Sequence, residues 1–256
     1  MRWSAEHEAQ HVFVTEGDKG VRYLLQSTVG IQSLLLTPRW LEDISPLLEA
    51  RPDHDTIHVF LAEPNVLREL TGIRLHQCIL ACGAIPEPDP LERVLSRSRR
   101  PWLFAAAENL ANAENLGALI RNAAAFDLTG VLVGQACGPP WLRRVVRTSM
   151  GSIFSIPVLA RVVLPEVLPW LRTRGVQCVA AHPDPTSRPL ADMDFSGDTC
   201  LVFGAEGHGL SQPVLEACEG RVAVPMKPGF DSLNVVSATG IVLHQAALRQ
   251  GRMGDR

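Results

Sequence analysis

Short apolar runs of strand length alternate with longer amphipathic segments over nearly the whole chain. In the first part of the chain the predicted strands are residues 12–15, 31–37, 57–62 and 77–84, and the predicted helices are 21–26, 38–49 and 64–70. Pro38 and Pro64 stand in the first turns of two of these helices, where proline is tolerated. This alternation is typical of an α/β fold with mainly parallel sheets.

A second series of the same kind begins at residue 102. Its predicted strands are residues 102–107, 130–134, 156–160, 176–181, 200–204 and 222–226, and its predicted helices are 115–126, 140–150, 165–174, 213–217 and 233–249. Between the two series, the segment 84–101 holds four prolines and a charge run, a composition typical of a linker. We therefore predict two domains, residues 1–95 and 96–256.

Composition excludes several classes of protein. Hydrophobic residues make up 46% of the 256, enough to fill a large core, which excludes disordered and collagen-like chains. No apolar run reaches the roughly 18 residues of a membrane helix, and the amino terminus is charged where a signal peptide is apolar. The six cysteines lack the spacing of a zinc site. We predict a soluble cytoplasmic protein that binds no metal, with its cysteines buried and reduced.

Charge argues against a protein that coats nucleic acid without specificity, since the net charge is −3 and the isoelectric point is about 6.2. Local sites remain open, because the arginines cluster. The guanidinium fork suits bidentate contact with phosphate, although solvated charge runs are also common. The candidate phosphate contacts are Arg97, Arg99, Arg100, Arg143, Arg144 and Arg147.

Three segments of the second series place unusual residues directly after predicted strands, where open α/β sheets bind their ligands. In the first segment, Asn112 and Asn115 precede a helix that contains Gly117 and Arg121. Helix capping alone explains an asparagine at this place. It does not explain Gly117 inside a helix, where glycine is unfavourable. Nor does it explain the long charged side chain of Arg121 among alanine, leucine and isoleucine residues.

The second segment breaks into three glycines around Glu206, beginning at Gly204. It lacks the order and position of a dinucleotide-binding loop, and a simple glycine turn is an equally good reading. His208 is interpreted as a solvent-facing loop residue. In the third segment a predicted strand ends near Val224 and Met226, and Ser232, Leu233 and Asn234 open a long helix. Ser232 suits a helix N-cap, which leaves Asn234 without an explanation.

Together, the three segments resemble the SpoU-type RNA ribose methyltransferases of the SPOUT superfamily. The family pattern is N-P-x-N-x-G-x-x-x-R, then G-x-E-G-x-G-L-S, then I-P-M followed by S-L-N-V, and its parts occur here in the same order. The resemblance extends over about residues 100–250 and includes 147–151. Three departures stand out: Ala113 replaces the proline, Gly229 is displaced behind Pro228, and Val236 replaces a common serine. The first series, with Glu16 and Gly17, resembles a small ribosomal-protein-like RNA-binding domain.

The resemblance implies an S-adenosylmethionine-dependent RNA 2′-O-methyltransferase with a trefoil knot near its carboxyl end, acting as a homodimer. Gly204, Val224, Met226 and Leu233 would contact the cofactor. The implied catalytic residues are Asn115, Arg121, Glu206, Ser232 and Asn234.

A guanidinium is a poor base, so we expect Arg121 to grip the phosphate beside the target ribose. It would either position this phosphate or let it share in taking the proton. Ribosomal RNA is the favoured substrate, because the first series resembles ribosomal-protein-like modules. The arginine clusters support an RNA substrate, since RNA is read largely through its backbone and 2′-hydroxyls. Transfer RNA and an inactive ribosome-assembly factor of the same fold are the alternatives. A third reading, a nucleotide-dependent oxidoreductase that uses the Gly204 loop, is disfavoured. The chain lacks the glycine-rich dinucleotide-binding fingerprint that such enzymes carry after their first strand.

Overall fold

The computed structural model of the chain describes residues 10–71, 78–205, 207–227, 229–230 and 232–253. The chain divides into two compact units. The first unit comprises the chain up to Glu87 together with Trp141–Ser155, and the second comprises Pro88–Pro140 together with the chain from Ile156 onward. The segment 141–155, which the sequence places in the second domain, thus folds with the first unit.

The strands are defined here in chain order: β1 (Val12–Glu16), β2 (Ile31–Leu36), β3 (His58–Leu61), β4 (Ile79–Ala84), β5 (Leu103–Ala107), β6 (Gly130–Gly134), β7 (Val158–Val162), β8 (Gln177–Ala181), β9 (Arg188–Pro189), β10 (Thr199–Phe203) and β11 (Gly220–Ala223). The α-helices are α1 (Asp18–Gln26), α2 (Pro38–Glu49), α3 (Pro64–Thr71), α4 (Leu91–Arg97), α5 (Ala113–Ala125), α6 (Arg143–Thr148), α7 (Leu164–Arg172), α8 (Gln212–Ala217) and α9 (Val235–Arg249). Short 3-10 helices are formed by His54–Thr56, Ser152–Phe154 and Leu190–Asp192.

The first unit contains a mixed sheet with the strand order β1-β4-β2-β3. Only β2 and β3 are parallel neighbours, because β4 runs in the opposite direction between β1 and β2. The prediction of a mainly parallel sheet is therefore wrong for this unit. A helix-length connection allows the next strand to run in either direction, so the alternation of elements does not determine strand direction.

The segment 141–155 packs on this unit through aromatic rings. The ring centroid of Phe13 on β1 lies 5.0 Å from that of Trp141 and 5.3 Å from that of Phe154. Gly151 lies against Tyr23 of α1, so closely that a Cβ atom at Gly151 would be 2.8 Å from the tyrosine Cβ. Gly151 also has a φ of +86°, which favours glycine.

The second unit contains a sheet in the order β7-β6-β5-β10-β8-β11-β9, and its neighbouring strands are parallel. This confirms the predicted mainly parallel sheet of the second series. β5 and β10 are buried at every position, as expected for central strands of a parallel sheet. β10 lies between β5 and β8, although β8 and β9 precede it in the chain.

The predicted linker 84–101 contains helix α4, so that prediction was wrong over 91–97. Pro90 precedes the helix with extended backbone angles. Val94 and Leu95 are buried in the core of the second unit, and Leu91 packs against the same core. Leu91, Val94 and Leu95 have helical i, i+3, i+4 spacing, which the prolines and charges on either side obscured.

All six cysteines are free thiols. Cys178 and Cys200 are fully buried, whereas the other four are partly buried. Burial raises the pKa of Cys218 to about 12, and it also raises the pKa of Cys137. Within the described part of the chain, no helix has the length and apolarity needed to cross a membrane, and no group of three or more His, Cys, Asp or Glu residues is arranged to hold a metal ion.

Candidate functional site

A cavity of about 580 Å³ opens in the second unit where three neighbouring strands end. Ala181, Phe203 and Ala223, the last residues of β8, β10 and β11, all line it, and so does the start of α9. Parallel strands bring their carboxyl ends to one edge of the sheet, and the peptide groups that follow are released from strand pairing. This edge is where open α/β sheets bind ligands.

The cavity brings together most of the residues that the sequence analysis singled out in the second and third segments. Gly204, Val224, Met226 and Leu233, the four predicted cofactor contacts, all line it, and Ser232 and Asn234 line it as well. Asn115 and Arg121 are not among its lining residues. Glu206 lies outside the described residues.

The described residues between Gly204 and Leu210 are called the glycine loop below. One wall of the cavity is formed by five of them: Gly204, Ala205, Gly207, His208 and Gly209. A Cβ atom at Gly204 would lie 2.4 Å from the carbonyl carbon of Gly209, so no larger residue fits there without a backbone shift. The loop closes through a hydrogen bond of 3.0 Å from the Gly209 N–H to the Ala205 carbonyl. Gly207 and Gly209 have positive φ angles. The turn reading is therefore correct, and the same turn is also part of the cavity wall.

The walls of the cavity are largely apolar, with a few polar groups. Among the described lining residues, only His182 and His208 are of an acidic or basic type. His208 is exposed, as interpreted from the sequence. A concave, mostly apolar site with few polar groups is typical of small-molecule binding.

Asn234, not Ser232, is the N-cap of α9. The Asn234 side-chain oxygen accepts a hydrogen bond of 2.9 Å from the backbone N–H of Val236. Capping therefore explains Asn234, and the alternative reading of Ser232 as the N-cap was wrong. Ser232 is exposed at the cavity, two residues before the cap. The predicted helix start at residue 233 was two residues early.

Helix α5 begins at the N-cap Asn112, whose side-chain oxygen accepts hydrogen bonds from the backbone N–H groups of Glu114 and Asn115. This capping positions Asn115 in the first turn and Arg121 two turns further along. Arg121 is exposed, and no hydrogen bond or ion pair joins it to another described residue. Asn122 fixes α5 to α9, because its amide nitrogen donates to Thr239 Oγ1 over 3.0 Å.

The two arginine clusters have different surroundings. In the first unit, the carboxylate of Glu16 pairs with both Arg143 and Arg147. The Arg143 side chain is only 14% exposed, whereas that of Arg147 is 65% exposed. Arg144 is exposed as well.

In the second unit, Arg97, Arg99 and Arg100 are all exposed. The Arg100 guanidinium lies 3.3 Å from the carboxylate of Asp198 and 4.0 Å from the ring centroid of Trp102. The side chains of Arg97, Arg99 and Arg100 are thus at the surface. Arg143 of the other cluster is instead mostly buried in its ion pair with Glu16.

The sequence analysis missed two residues at this edge of the sheet. His182 directly follows β8 and lines the cavity, and a histidine directly after an apolar strand run was the available signal. Glu108 directly follows β5, and its carboxylate accepts two hydrogen bonds from Ser211. A carboxylate at the end of a fully apolar strand needs a partner, but sequence alone does not name that partner.

The family model described as the SpoU rRNA methylase family matches residues 103–244. The chain belongs to the SpoU rRNA methylase family. The match includes all three motif segments and confirms the resemblance predicted from them. By membership of the SpoU family the protein is an RNA methyltransferase.

Relatives of this SpoU-family chain have similar descriptions. It is 31% identical to an uncharacterized tRNA/rRNA methyltransferase of Synechocystis sp., over 94% of this chain and 85% of the relative. It is 33% identical to an uncharacterized tRNA/rRNA methyltransferase of Mycobacterium tuberculosis, over 73% of this chain and 65% of the relative. The chain thus spans just under two thirds of the mycobacterial protein.

Solved structures share the fold of this SpoU-family chain. An S-adenosylmethionine-bound rRNA methyltransferase from Sinorhizobium meliloti is 26% identical with a TM-score of 0.81, covering 94% of this chain and 88% of that one. A structure described as an RNA 2′-O ribose methyltransferase is 26% identical with a TM-score of 0.75, covering 98% and 93%. A TrmH/SpoU tRNA modifying enzyme from A. aeolicus is 24% identical with a TM-score of 0.53, covering 62% and 80%.

Proposed function

We propose that the protein transfers a methyl group from S-adenosylmethionine to a ribose 2′-hydroxyl of ribosomal RNA. The observation that supports this most is the single cavity, because the four predicted cofactor contacts and two predicted catalytic residues, Ser232 and Asn234, line it together. Gly204 is 20 to 30 positions from the other five residues in sequence, and they meet only because β10 and β11 end at the same edge of the sheet.

The cavity suits S-adenosylmethionine in size and in polarity. A volume of about 580 Å³ falls within the range of pockets for small molecules and cofactors. Leu233 and Met226 offer apolar surface, and the missing side chain of Gly204 lets the turn close against Gly209 at the cavity wall. When bound, the cofactor supplies a methyl group on a sulfonium, already activated toward an oxygen nucleophile. The S. meliloti relative is described as binding the same cofactor.

The protein must then orient the hydroxyl and support loss of its proton. We propose that Ser232 and Asn234, at the mouth of the cavity, orient the hydroxyl, and that the Glu206 carboxylate and Asn115 contribute to the same site. Arg121 acts as a phosphate clamp, because its exposed guanidinium fork suits bidentate contact with a phosphate.

A homodimer is part of the proposal. Asn115 and Arg121 do not line the cavity of their own chain, so a second copy is the proposed source of these groups at each site. Ile241 and Leu248 on α9 are 43% and 53% exposed. Large apolar side chains exposed on one helix are the kind of surface that a partner covers.

Ribosomal RNA is favoured over transfer RNA by the extent of the likenesses. The rRNA methyltransferase of S. meliloti covers 94% of this chain, including its first unit, whereas the A. aeolicus tRNA modifying enzyme covers 62%. We propose that the first unit recognises RNA through Arg144 and Arg147. Arg97, Arg99 and Arg100 of the second unit are further proposed phosphate contacts, whereas Arg143 is held by its ion pair with Glu16. We also propose the trefoil knot, with which the position of β10 between β5 and β8 is compatible. The cytoplasmic location stays a prediction.

The proposal is tested by incubating the full chain with methyl-labelled S-adenosylmethionine and unmodified total RNA. Methylated positions are then mapped as alkali-resistant linkages, since a 2′-O-methyl group blocks cleavage there. A site mapped in ribosomal RNA is the expected result. A site in transfer RNA contradicts the substrate, and label on a base contradicts the 2′-hydroxyl. Binding of the cofactor without transfer to any RNA, including partly assembled ribosomal particles, favours the inactive assembly factor.

A further inference from the structure

Glu108 is hydrogen-bonded at both ends of the glycine loop. Its backbone N–H donates to the carbonyl of Phe203 over 2.9 Å, where the loop begins. Its carboxylate accepts from the backbone N–H of Ser211 over 2.8 Å and from Ser211 Oγ over 2.6 Å, where the loop ends. One residue, directly after the end of β5, thus joins the entry and the exit of a loop that forms a wall of the cavity.

Glu108 is itself held in place from the other side. Cys137, which follows β6, donates from its Sγ to the carbonyl of Ala107 over 3.2 Å and accepts from the backbone N–H of Leu110 over 3.3 Å. The Gly138 N–H donates to the carbonyl of Leu110 over 3.0 Å. The backbone on both sides of Glu108 is therefore anchored, and its carboxylate reaches the loop from a fixed position.

The glycine loop needs such an external contact. Gly204, Gly207 and Gly209 lose more conformational freedom on ordering than other residues do, and they have no side chains with which to pack. The loop's own hydrogen bond, between Gly209 and Ala205, closes the turn but does not determine where the turn lies relative to β5. Hydrogen bonds to a carboxylate are about twice as strong as those between neutral groups, so the Ser211 contacts are well suited to this role.

We propose that Glu108 is a positioning residue that acts through Ser211 to hold the glycine loop in the form that binds the methyl donor. Glu108 does not line the cavity, so it does not act on the reacting atoms. The identity of the ligand rests on the proposed function, whereas the ordering of the loop by Glu108 does not.

The test compares four full-length variants by calorimetric titration with S-adenosylmethionine and by steady-state methylation. Glu108→Ala removes both carboxylate bonds and weakens binding about 10- to 100-fold, as expected for lost hydrogen bonds to a charged group. Ser211→Ala keeps the backbone N–H donor, so it loses less affinity for S-adenosylmethionine than Glu108→Ala does. Glu108→Gln restores most of the affinity, because its amide oxygen accepts from the Ser211 N–H while its NH₂ group donates to the rotated hydroxyl. Glu216→Ala, which removes an exposed carboxylate on α8, leaves affinity unchanged.

Two further measurements separate positioning from general destabilisation. In Glu108→Ala, the KM for S-adenosylmethionine rises while kcat recovers at saturation, and the double variant Glu108→Ala with Ser211→Ala binds no more weakly than Glu108→Ala. In the ligand-free protein, hydrogen exchange of the amides of residues 207–211 accelerates in Glu108→Ala and is restored in Glu108→Gln. Other peptides keep their wild-type exchange.

Wild-type affinity with wild-type exchange in Glu108→Ala overturns the proposal. So does an equal loss in Glu108→Gln and Glu108→Ala, or a fall in kcat that saturating donor does not recover. If the wild-type protein binds no S-adenosylmethionine, the proposed function fails instead, and the exchange measurements still decide the role of Glu108.

Discussion

The cavity and the exposed face of α5 are two parts of the same unit, and they differ in whether their proposed functional residues lie together in one chain. The cavity is assembled within one chain, with Gly204, Met226 and Leu233 meeting at one edge of the sheet. Asn115 and Arg121 on α5 stand apart from it, and Arg121 has no hydrogen-bond or ion-pair partner among the described residues. The cavity is thus formed by residues of one chain, whereas Asn115 and Arg121, the groups proposed to act on RNA, lie outside it.

This difference has a physical origin. A small, largely apolar ligand needs a concave surface, which the ends of adjacent parallel strands provide. A polyanion needs cations that are accessible and uncommitted to internal pairs. Substitutions in the two regions are therefore expected to have different effects. Those in the cavity should lower the affinity for the methyl donor, and those on α5 should lower RNA-dependent turnover.

The largest effect is expected from Arg121→Ala. Loss of one charged group that contacts the reacting region lowers kcat/KM for RNA by about 10²- to 10³-fold, while the affinity for S-adenosylmethionine, measured calorimetrically, stays unchanged. Arg121→Lys keeps the charge and loses the fork. Full activity of Arg121→Lys with unchanged RNA affinity would contradict the bidentate clamp.

Gly204→Ala is expected to have the next largest effect, on the other region. Its Cβ would lie 2.4 Å from the Gly209 carbonyl carbon, and the backbone shift that follows weakens binding of S-adenosylmethionine about 10- to 100-fold, typical of overpacking. Gly220→Ala is the matched control, because nothing lies within 4 Å of its added Cβ. Equal titration curves for both variants would contradict a role of the glycine loop in binding the cofactor.

Asn234 has both a structural and a proposed chemical role, which substitutions can separate. Asn234→Ala loses the bond to the Val236 N–H and is expected to lower the free energy of unfolding by about 1 kcal/mol. Asn234→Asp keeps the cap. Thermal unfolding should therefore recover in the aspartate variant, while methylation stays about tenfold reduced in both, since the side-chain amide is missing. Recovery of methylation in the aspartate variant would reduce Asn234 to a cap.

The smallest effects are expected in the arginine clusters. Arg97→Ala, Arg99→Ala and Arg147→Ala each remove one exposed charge and should raise the KM for RNA about threefold, with a shallower dependence on salt. Arg143→Ala is expected instead to lower the melting temperature, because Glu16, only 8% exposed, loses its most buried partner. An unchanged melting temperature with reduced RNA affinity would place Arg143 among the RNA contacts.

Deletion of residues 1–95 is a poor test of RNA recognition by the first unit. Trp141 and Phe154 pack on Phe13, so the deletion would expose the segment 141–155 and disturb both units. Substitutions of exposed arginines avoid this problem.

Several features of the fold and site were predictable because their signals are local in sequence. The periodicity of apolar residues places the strands of the second sheet except the two-residue β9. The glycines, Met226 and Leu233 stand in short motifs that identify the family. Residue type alone made Asn112 and Asn115 both candidate caps, and the structure shows that Asn112 is the cap. The helix α4 was missed because prolines and charges next to it outweighed the short helical pattern of Leu91, Val94 and Leu95.

The sequence alone determined the family, most strands of the second sheet and six of the residues that line the cavity, since each of these signals depends on neighbours along the chain. Only the tertiary structure decided the direction of β4, the pairing of Glu16 with Arg143 and the contact of Glu108 with Ser211. Those partners are 127 and 103 residues apart. A charged or polar side chain shows by its type that it needs a partner, but which partner it finds depends on how distant segments pack.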